Sequence, residues 1–162
     1  MPQDTFASLR KIRLFEGLTD QDIKRLALIA ERRGFGAGDE LIREGELGSG
    51  MYVIKAGSVK VTKETPHDHE PERIATLGPG TYIGLNALIE EGERAATVVA
   101  LESTTCLRLG FDELDRILTN NGDFARRFWQ AAALGLSRQL RAANRSTLLL
   151  KEIARHREQE AS

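Results

Sequence analysis

Apolar residues recur with different spacings along the chain, and the changes of spacing divide it into three parts. In the first part, one short amphipathic helix is predicted from the apolar positions Ile23, Leu26, Ala27 and Ala30. Thr19 is a suitable N-cap for this helix, and Asp22 stands three residues later, where a capping box has its acidic residue. We expect the helix to end near Gly34.

The second part, from about residue 34 to residue 110, is rich in glycine and in short runs of β-prone residues. Val59 and Val61 alternate with polar residues, as side chains do in a half-buried strand. Many short strands separated by glycines are typical of a sandwich or a jelly-roll barrel. Six strands are predicted, over Glu40–Ile42, Met51–Lys55, Ser58–Thr62, Arg73–Leu77, Ala96–Leu101 and Thr105–Leu109.

The third part is helical. A short helix is predicted over Asp112–Leu118, and the Asn-Asn-Gly run at 120–122 favours a left-handed residue at its end. One long helix then follows from about residue 123 to residue 156. We expect it to pack in parallel against the same helix of a second copy, giving a homodimer, or else to fold back on its own barrel. The expectation rests on a heptad seam made of Trp129, Ala133, Leu136, Leu140, Ala143, Thr147, Leu150 and Ala154.

Composition limits the function more than it defines it. The chain has 162 residues, a net charge of −1 and 41% hydrophobic residues, as ordinary globular proteins do. A single cysteine, Cys106, excludes an intrachain disulfide, and no run approaches the roughly 20 apolar residues of a membrane span. We therefore expect a cytoplasmic protein without a membrane partner. The basic side chains of residues 124–162 are interpreted as a solvated helix face.

Few residues suggest catalytic or metal chemistry. His67 and His69 alternate in a polar loop and could share a cation, but a third ligand is not evident, so no metal site is expected. Cys106 lies among apolar strand residues and is interpreted as part of the core. No nucleophile and base occur in a supporting motif, and no phosphate-binding Walker loop is present, so we expect neither enzyme activity nor a cofactor.

The order of helix, glycine-rich barrel, short helix and long helix resembles the cyclic-nucleotide-binding domain family, the sensor half of catabolite-activator-type transcription factors of bacteria. The resemblance covers about residues 14–144 and rests on four segments: LFEGLTDQDIKRLA, GDELIREGELGSGMYVIKAGSVKV, LGPGTYIGLNALIEEGERAATVVA and CLRLGFDEL. It implies an α+β fold, a double-stranded β-helix (jelly-roll) barrel with a short N-terminal helix, an inserted phosphate-binding-cassette helix and a long C-terminal dimerisation helix. The expected division is a binding domain at residues 1–122 and a long helix with a tail at residues 123–162.

In that family, the phosphate-binding cassette follows a glycine, here Gly84. Its short helix presents backbone N–H groups to a phosphate, and an arginine, here Arg94, contacts the phosphate oxygens with a fork of donors. For Arg94 the structural alternative is an ion pair with Glu90, Glu91 or Glu93. The resemblance places eight residues at the ligand site: Gly84, Leu85, Asn86, Ala87, Arg94, Ala95, Ala96 and, on the long helix, Asn144.

Two residues depart from the family pattern. Cyclic-AMP and cyclic-GMP binders usually carry a glutamate that accepts a hydrogen bond from the ribose 2′-hydroxyl, and this chain has Leu85 instead. Ala95 lacks the hydroxyl that the family often has after the arginine. A buried hydroxyl without a partner weakens binding by about 1–3 kcal/mol. Three interpretations stay open: weak binding of cyclic AMP or cyclic GMP, binding of another phosphorylated ligand such as a cyclic dinucleotide, or a vacant site.

The long helix of the family often carries a polar residue that meets the base, and Asn144 is the first candidate here, with Gln139 second. No recognition helix can be drawn from residues 151–157. The resemblance therefore predicts a regulatory module that senses a nucleotide and signals through its dimer helix, with an unidentified effector protein as a further partner. The alternatives are a degenerate dimeric interaction protein, and the sensor part of a transcription factor. Any DNA binding is expected to be weak and independent of sequence.

Overall fold

A computed structural model describes residues 2–161. Its helical elements are α1 (Pro2–Arg10), a 3₁₀ turn (Arg13–Phe15), α2 (Asp20–Ile29), α3 (Asn86–Glu90), α4 (Phe111–Asn120) and α5 (Gly122–Glu160). Its strands are β1 (Ala30–Phe35), β2 (Glu40–Ile42), β3 (Gly50–Ala56), β4 (Val59–Glu64), β5 (Pro71–Leu77), β6 (Tyr82–Ile83), β7 (Thr97–Ala100) and β8 (Thr104–Gly110).

The strands form two four-stranded antiparallel sheets, in the orders β1-β8-β3-β6 and β2-β7-β4-β5. Apolar side chains from both sheets, among them Ile54, Val59 and Cys106, form one core between the sheets. A second and larger core, which includes Met51 and Leu109, lies between the first sheet and the helices. The molecule is therefore the predicted jelly-roll barrel with flanking helices, and Cys106 is a core residue whose burial raises the pKa of its thiol to about 11.

The six predicted strands are all present, and each end lies within two residues of its predicted position. The predicted end of the first predicted helix, near Gly34, is wrong. This helix is α2, which ends at Ile29, and residues 30–35 form β1, paired with β8. Most β1 side chains are charged and exposed, so the strand has no apolar alternation that would reveal it in the sequence. The helix α1 and the two-residue strand β6 were likewise not predicted.

The junction between α4 and α5 also differs from the prediction. Asn121 has φ −135°, which is not left-handed. Its side-chain Nδ2 donates to the Ile117 carbonyl at 2.9 Å, and its own carbonyl accepts from the Ala125 amide at 2.9 Å. One asparagine thus closes α4 with its side chain and opens α5 with its backbone, so no left-handed residue is needed.

A buried ion pair fixes α2 against α5. The predicted capping box is confirmed, since Asp22 accepts from the Thr19 amide at 3.0 Å and the Thr19 hydroxyl accepts from the Asp22 amide at 3.1 Å. The fully buried Asp22 carboxylate also accepts from Arg127 Nε at 2.6 Å and Nη2 at 2.9 Å. Burial alone would raise the pKa of Asp22, but the hydrogen bonds from Arg127 and Thr19 outweigh it and lower the pKa.

Helix α5 has two different halves. Phe124 and Phe128 in its first turns lie in the same large core as the barrel residues, and Ala132 follows one turn later. From Gln139 to Ala161 every residue is exposed. The helix has 39 residues and is therefore about 58 Å long, well beyond the reach of the barrel. The division of the chain after residue 122 stays a prediction.

Within residues 2–161, no helix is both long and apolar enough to cross a membrane.

Candidate functional site

The cassette begins where β6 ends. Gly84 has φ +88°, a backbone conformation that side chains with a Cβ rarely adopt, and it turns the chain from β6 into α3. Helix α3 is a little over one turn long and is followed by Glu91 in the left-handed conformation. The segment that returns from it is held by the loop before β3, because the Arg94 amide donates to the Glu46 carbonyl at 2.7 Å and the Gly45 amide donates to the Arg94 carbonyl at 3.0 Å.

The Arg94 side chain turns inward under the cassette. Its Nη1 donates to the Gly84 carbonyl at 3.0 Å, and its Nη2 donates to the Gly50 carbonyl at 2.6 Å. Its guanidinium carbon also lies 5.8 Å from the centre of the Phe111 ring, within the range of a cation–π contact. The guanidinium is therefore held by both the cassette and the start of β3, and two of its five N–H donors are in use.

Glycines make room for this arginine. A Cβ on Gly84 would lie 2.6 Å from Arg94 Nη1. A Cβ on Gly48 would collide with the Ala87 Cβ and would lie 3.1 Å from the guanidinium carbon. Gly84 therefore has a packing role as well, since the guanidinium occupies the space beside it. Gly48 and Gly50 were not predicted as site residues, although their spacing in a glycine-rich segment was the available signal.

The charge of Arg94 is not neutralised by a neighbouring side chain. Among residues 2–161, no Asp or Glu oxygen comes within 4 Å of its guanidinium, so the ion pair with Glu90, Glu91 or Glu93 is not formed. The side chain is half-buried, and this burial, together with the nearby Arg108, lowers the pKa of Arg94 below its ordinary value. An arginine stays protonated regardless, so the site holds a desolvated cation that an anion would stabilise.

Leu85 lies in the core and not at the surface of the cassette. Its side chain is 2% exposed and belongs to the large core under the helices. It is thus buried away from solvent. Asn86, the first residue of α3, is exposed, and Ala87 is buried against Gly48.

The structure brings together some of the predicted site residues and separates others. Gly84 and Ala87 both lie close to the Arg94 side chain. On the segment leading into β7, Ala95 is exposed and Ala96 is half-buried. Asn144 is exposed in the free half of α5, and no hydrogen bond of its side chain occurs in the described part of the chain.

Of the two amides considered on α5, Gln139 is the one that reaches the cassette region. Its Nε2 donates to the Tyr82 hydroxyl at 3.2 Å. Tyr82 lies on β6 two residues before Gly84 and was not predicted from the sequence, which offers no pattern that distinguishes it from the other aromatic residues.

The polar loop at residues 65–70 joins β4 to β5, in the sheet that does not contain β6. His69 Nδ1 lies 3.6 Å from a Glu64 oxygen, and His69 has a positive φ of 57°. In the described range 2–161, no three His, Cys, Asp or Glu side chains are grouped as metal ligands would be. The two histidines therefore add nothing to the site around Arg94.

Comparison with known proteins identifies the family. The family described as "Cyclic nucleotide-binding domain" matches residues 32–121, which include the cassette and Arg94. The chain belongs to the cyclic nucleotide-binding domain family. It is therefore a domain of the regulatory ligand-binding type, and the family resemblance seen in the sequence is confirmed.

Individual members of the family show how far the similarity extends. The chain is 34% identical over 112 residues to cGMP-dependent protein kinase, isozyme 1, of Drosophila melanogaster, covering 68% of this chain and 15% of the kinase. It is 33% identical over 96 residues to the cyclic AMP receptor protein of Thermus thermophilus, covering 59% of this chain and 44% of that protein. The chain thus spans less than half the length of these relatives.

A solved structure supports the fold at similar identity. The N-terminal domain of a transcriptional regulator from Streptomyces coelicolor A3(2) superposes with a TM-score of 0.72 at 31% identity, covering 82% of this chain and 94% of that one. The barrel and its flanking helices are therefore shared with a domain of known structure.

Proposed function

We propose that this chain is a non-catalytic regulatory module that binds a cyclic nucleotide, or a related phosphorylated nucleotide, between residues 84–89 of the cassette and Arg94. The observation that carries the proposal is the half-buried Arg94 guanidinium without a carboxylate partner among residues 2–161. Its two contacts to the carbonyls of Gly84 and Gly50 leave three N–H donors for a phosphate. A phosphate can therefore bind without displacing the contacts that hold the side chain.

The site offers a charged group to the phosphate of a ligand but no hydrogen-bond acceptor at residue 85 to its sugar. Arg94 provides the charge for the phosphate, as in the family. At the position where cyclic-AMP and cyclic-GMP binders usually carry glutamate, Leu85 is buried in the core and offers no acceptor to a ribose hydroxyl. We therefore expect a ligand recognised mainly through its phosphate, either a cyclic mononucleotide bound weakly or a cyclic dinucleotide. We expect Gln139 rather than Asn144 to contact its base, since Gln139 is the amide of α5 that reaches Tyr82 on β6.

Calorimetry with cyclic AMP, cyclic GMP and a cyclic dinucleotide tests this proposal. Arg94→Ala should weaken binding of the preferred ligand by roughly ten- to a hundredfold, because a charge-assisted fork contributes about 1.5–3 kcal/mol. Arg94→Lys keeps the positive charge but loses the fork of donors, so its ligand affinity should lie between those of the wild type and Arg94→Ala. Arg43→Ala is the matched control, since Arg43 is an exposed arginine near the same end of the barrel and pairs with Glu40. Tight binding that survives Arg94→Ala would refute the placement of the site.

Signalling through α5 is the second half of the proposal. The residues that face the barrel are Phe124, Phe128, Ala131, Ala132 and Gly135. The heptad seam lies beside this face, and its members Leu140 and Leu150 are 62% and 67% exposed. A partner helix from a second copy would cover them, so we propose a homodimer with parallel α5 helices.

Sedimentation separates the dimer from the monomer. The double variant Leu140→Lys/Leu150→Lys should be monomeric at a protein concentration of roughly tens of micromolar, because it would place two charges in the seam. Leu148→Lys is the control, since Leu148 is also 62% exposed but lies off the seam. A wild-type chain that sediments as a monomer at this concentration would contradict the dimer.

Leu85 also favours a second candidate, a degenerate dimeric interaction protein that binds no nucleotide. In that case none of the three nucleotides would bind measurably, and the thermal stability of the protein would not change on adding them. Either candidate could act on an unidentified effector protein in the cytoplasm, as a separate chain or as the sensor part of a transcription factor. We expect this chain alone to show only weak, salt-sensitive and sequence-independent DNA binding.

A further inference from the structure

Helix α5 carries a glycine in its interior, and the position of that glycine is unusual. Gly135 lies in the middle of a 39-residue helix, where glycine costs about 1 kcal/mol relative to alanine. A Cβ at this position would lie 2.7 Å from the Tyr82 hydroxyl oxygen and 3.1 Å from Leu14 Cδ1. The glycine therefore opens a notch in α5 that receives the Tyr82 hydroxyl.

The notch is closed by a hydrogen bond one turn later on the same face of the helix. Gln139 Nε2 donates to the same Tyr82 hydroxyl at 3.2 Å. Burial raises the pKa of Tyr82, so the hydroxyl is neutral at physiological pH. Beyond Gln139 all described residues of the helix are exposed, and this contact is the last hydrogen bond between α5 and the barrel within residues 2–161.

Tyr82 occupies the strand that leads into the cassette. Strand β6 has only two residues, pairs with β3 and lies at the edge of its sheet. Two residues later, Gly84 accepts the hydrogen bond from Arg94. A displacement of Arg94 or of the cassette therefore reaches Tyr82 through two residues of backbone, and Tyr82 contacts α5 directly.

We propose that Tyr82 and Gly135 are positioning residues that form a latch with Gln139, and that this latch couples the position of the cassette to that of the long helix. Its regulatory meaning rests on the proposed function, because a ligand at Arg94 would act on α5 through it. The latch itself is a property of the protein without ligand. It can therefore be tested independently of whether any nucleotide binds.

Hydrogen exchange of the ligand-free protein is the test, because it reports local opening segment by segment. Gly135→Ala should accelerate exchange both in residues 136–145 and in the cassette at residues 82–94. Gly122→Ala is the matched control, since Gly122 lies in the same helix and has nothing within 4 Å of a new Cβ. It should leave the cassette unchanged.

Tyr82→Phe should relieve the steric part of Gly135→Ala, so that exchange in the double variant falls back to the level of Tyr82→Phe alone, which has lost only the hydrogen bond. The substitution removes the oxygen at 2.7 Å, and the nearest remaining ring atom would be 3.8 Å from the new Cβ, an ordinary contact. If Gly135→Ala perturbs α5 but not the cassette, or if Tyr82→Phe gives no relief, the latch is refuted.

A milder pair of variants keeps the test decisive if Gly135→Ala does not fold. Tyr82→Phe alone and Gln139→Ala alone each remove one hydrogen bond, so each should speed cassette exchange by roughly two- to tenfold. Combining them should add little, because both break the same bond. Asn144→Ala, an exposed amide on the same helix, should have no effect on the cassette. Fully additive effects of the two variants would overturn the proposal, and loss of nucleotide binding alone would not.

Discussion

Two arginines of this protein are held in opposite ways, one in the helical layer and one under the cassette. Arg127 donates two hydrogen bonds to the fully buried Asp22, so its charge is neutralised within the fold. Arg94 is also removed from water in part, but it donates only to two backbone carbonyls. The comparison shows that the charge of Arg127 is compensated within the fold, while that of Arg94 has no carboxylate partner among the described residues.

The largest expected effect is on the paired arginine. Arg127→Met should destabilise the fold by about 3–5 kcal/mol, because it removes two hydrogen bonds from the buried Asp22 carboxylate and leaves only the contact with Arg25 Nη1 at 3.3 Å. Urea denaturation measures the change, with Arg126→Met as the control at the exposed neighbouring position. A loss of less than about 1 kcal/mol would mean that water or another group replaces Arg127 beside Asp22. Arg127 would then not be a stabilising residue, and the contrast with Arg94 would fail.

A second variant would give the cassette the carboxylate that it lacks. Leu85→Glu should destabilise the protein by at least about 3 kcal/mol, since it removes a core side chain and introduces a charge at a position 2% exposed. Asn86→Glu at the next, exposed position should change stability by less than about 0.5 kcal/mol. Denaturation of both variants under the same conditions provides the comparison. Equal stabilities would show that residue 85 can turn outward.

Arg94 should matter less for folding than Arg127. Arg94→Met leaves the carbonyls of Gly84 and Gly50 without a donor but removes a desolvated charge, so the net loss should stay below about 2 kcal/mol. The same denaturation experiment applies. A loss as large as that of Arg127→Met would indicate that Arg94 is primarily a structural residue.

The smallest expected effect is the pH dependence of the ion pair. The pKa of Asp22 is lowered in the folded state, so its contribution is fully present above the unfolded value, about 3.9, and is lost as the pH falls through the lower folded pKa. Denaturation of the wild type and of Asp22→Asn should therefore differ most near neutral pH and converge as the pH falls below the lowered folded pKa of Asp22. A difference that persists unchanged in acid would contradict this assignment.

Local patterns in the sequence were sufficient for most of the secondary structure. The capping box of Thr19 and Asp22, the six apolar strands and the long helix each depend on neighbours in the chain, and each is present. Strand β1 was not predictable in this way, because its charged residues are ordered by pairing with β8, which lies about 70 residues away. Dimerisation and the ligand remain predictions.

The sequence by itself determined the kind of domain, because its motifs resemble a known family, and that resemblance also implied the cassette with Arg94. Only the tertiary structure decided that Arg94 has no carboxylate partner in the described residues, that Leu85 faces the core and that Gln139 rather than Asn144 reaches β6. These facts depend on which side chains meet across distant segments. Burial and charge compensation are set by that three-dimensional packing and leave no periodic pattern in the sequence.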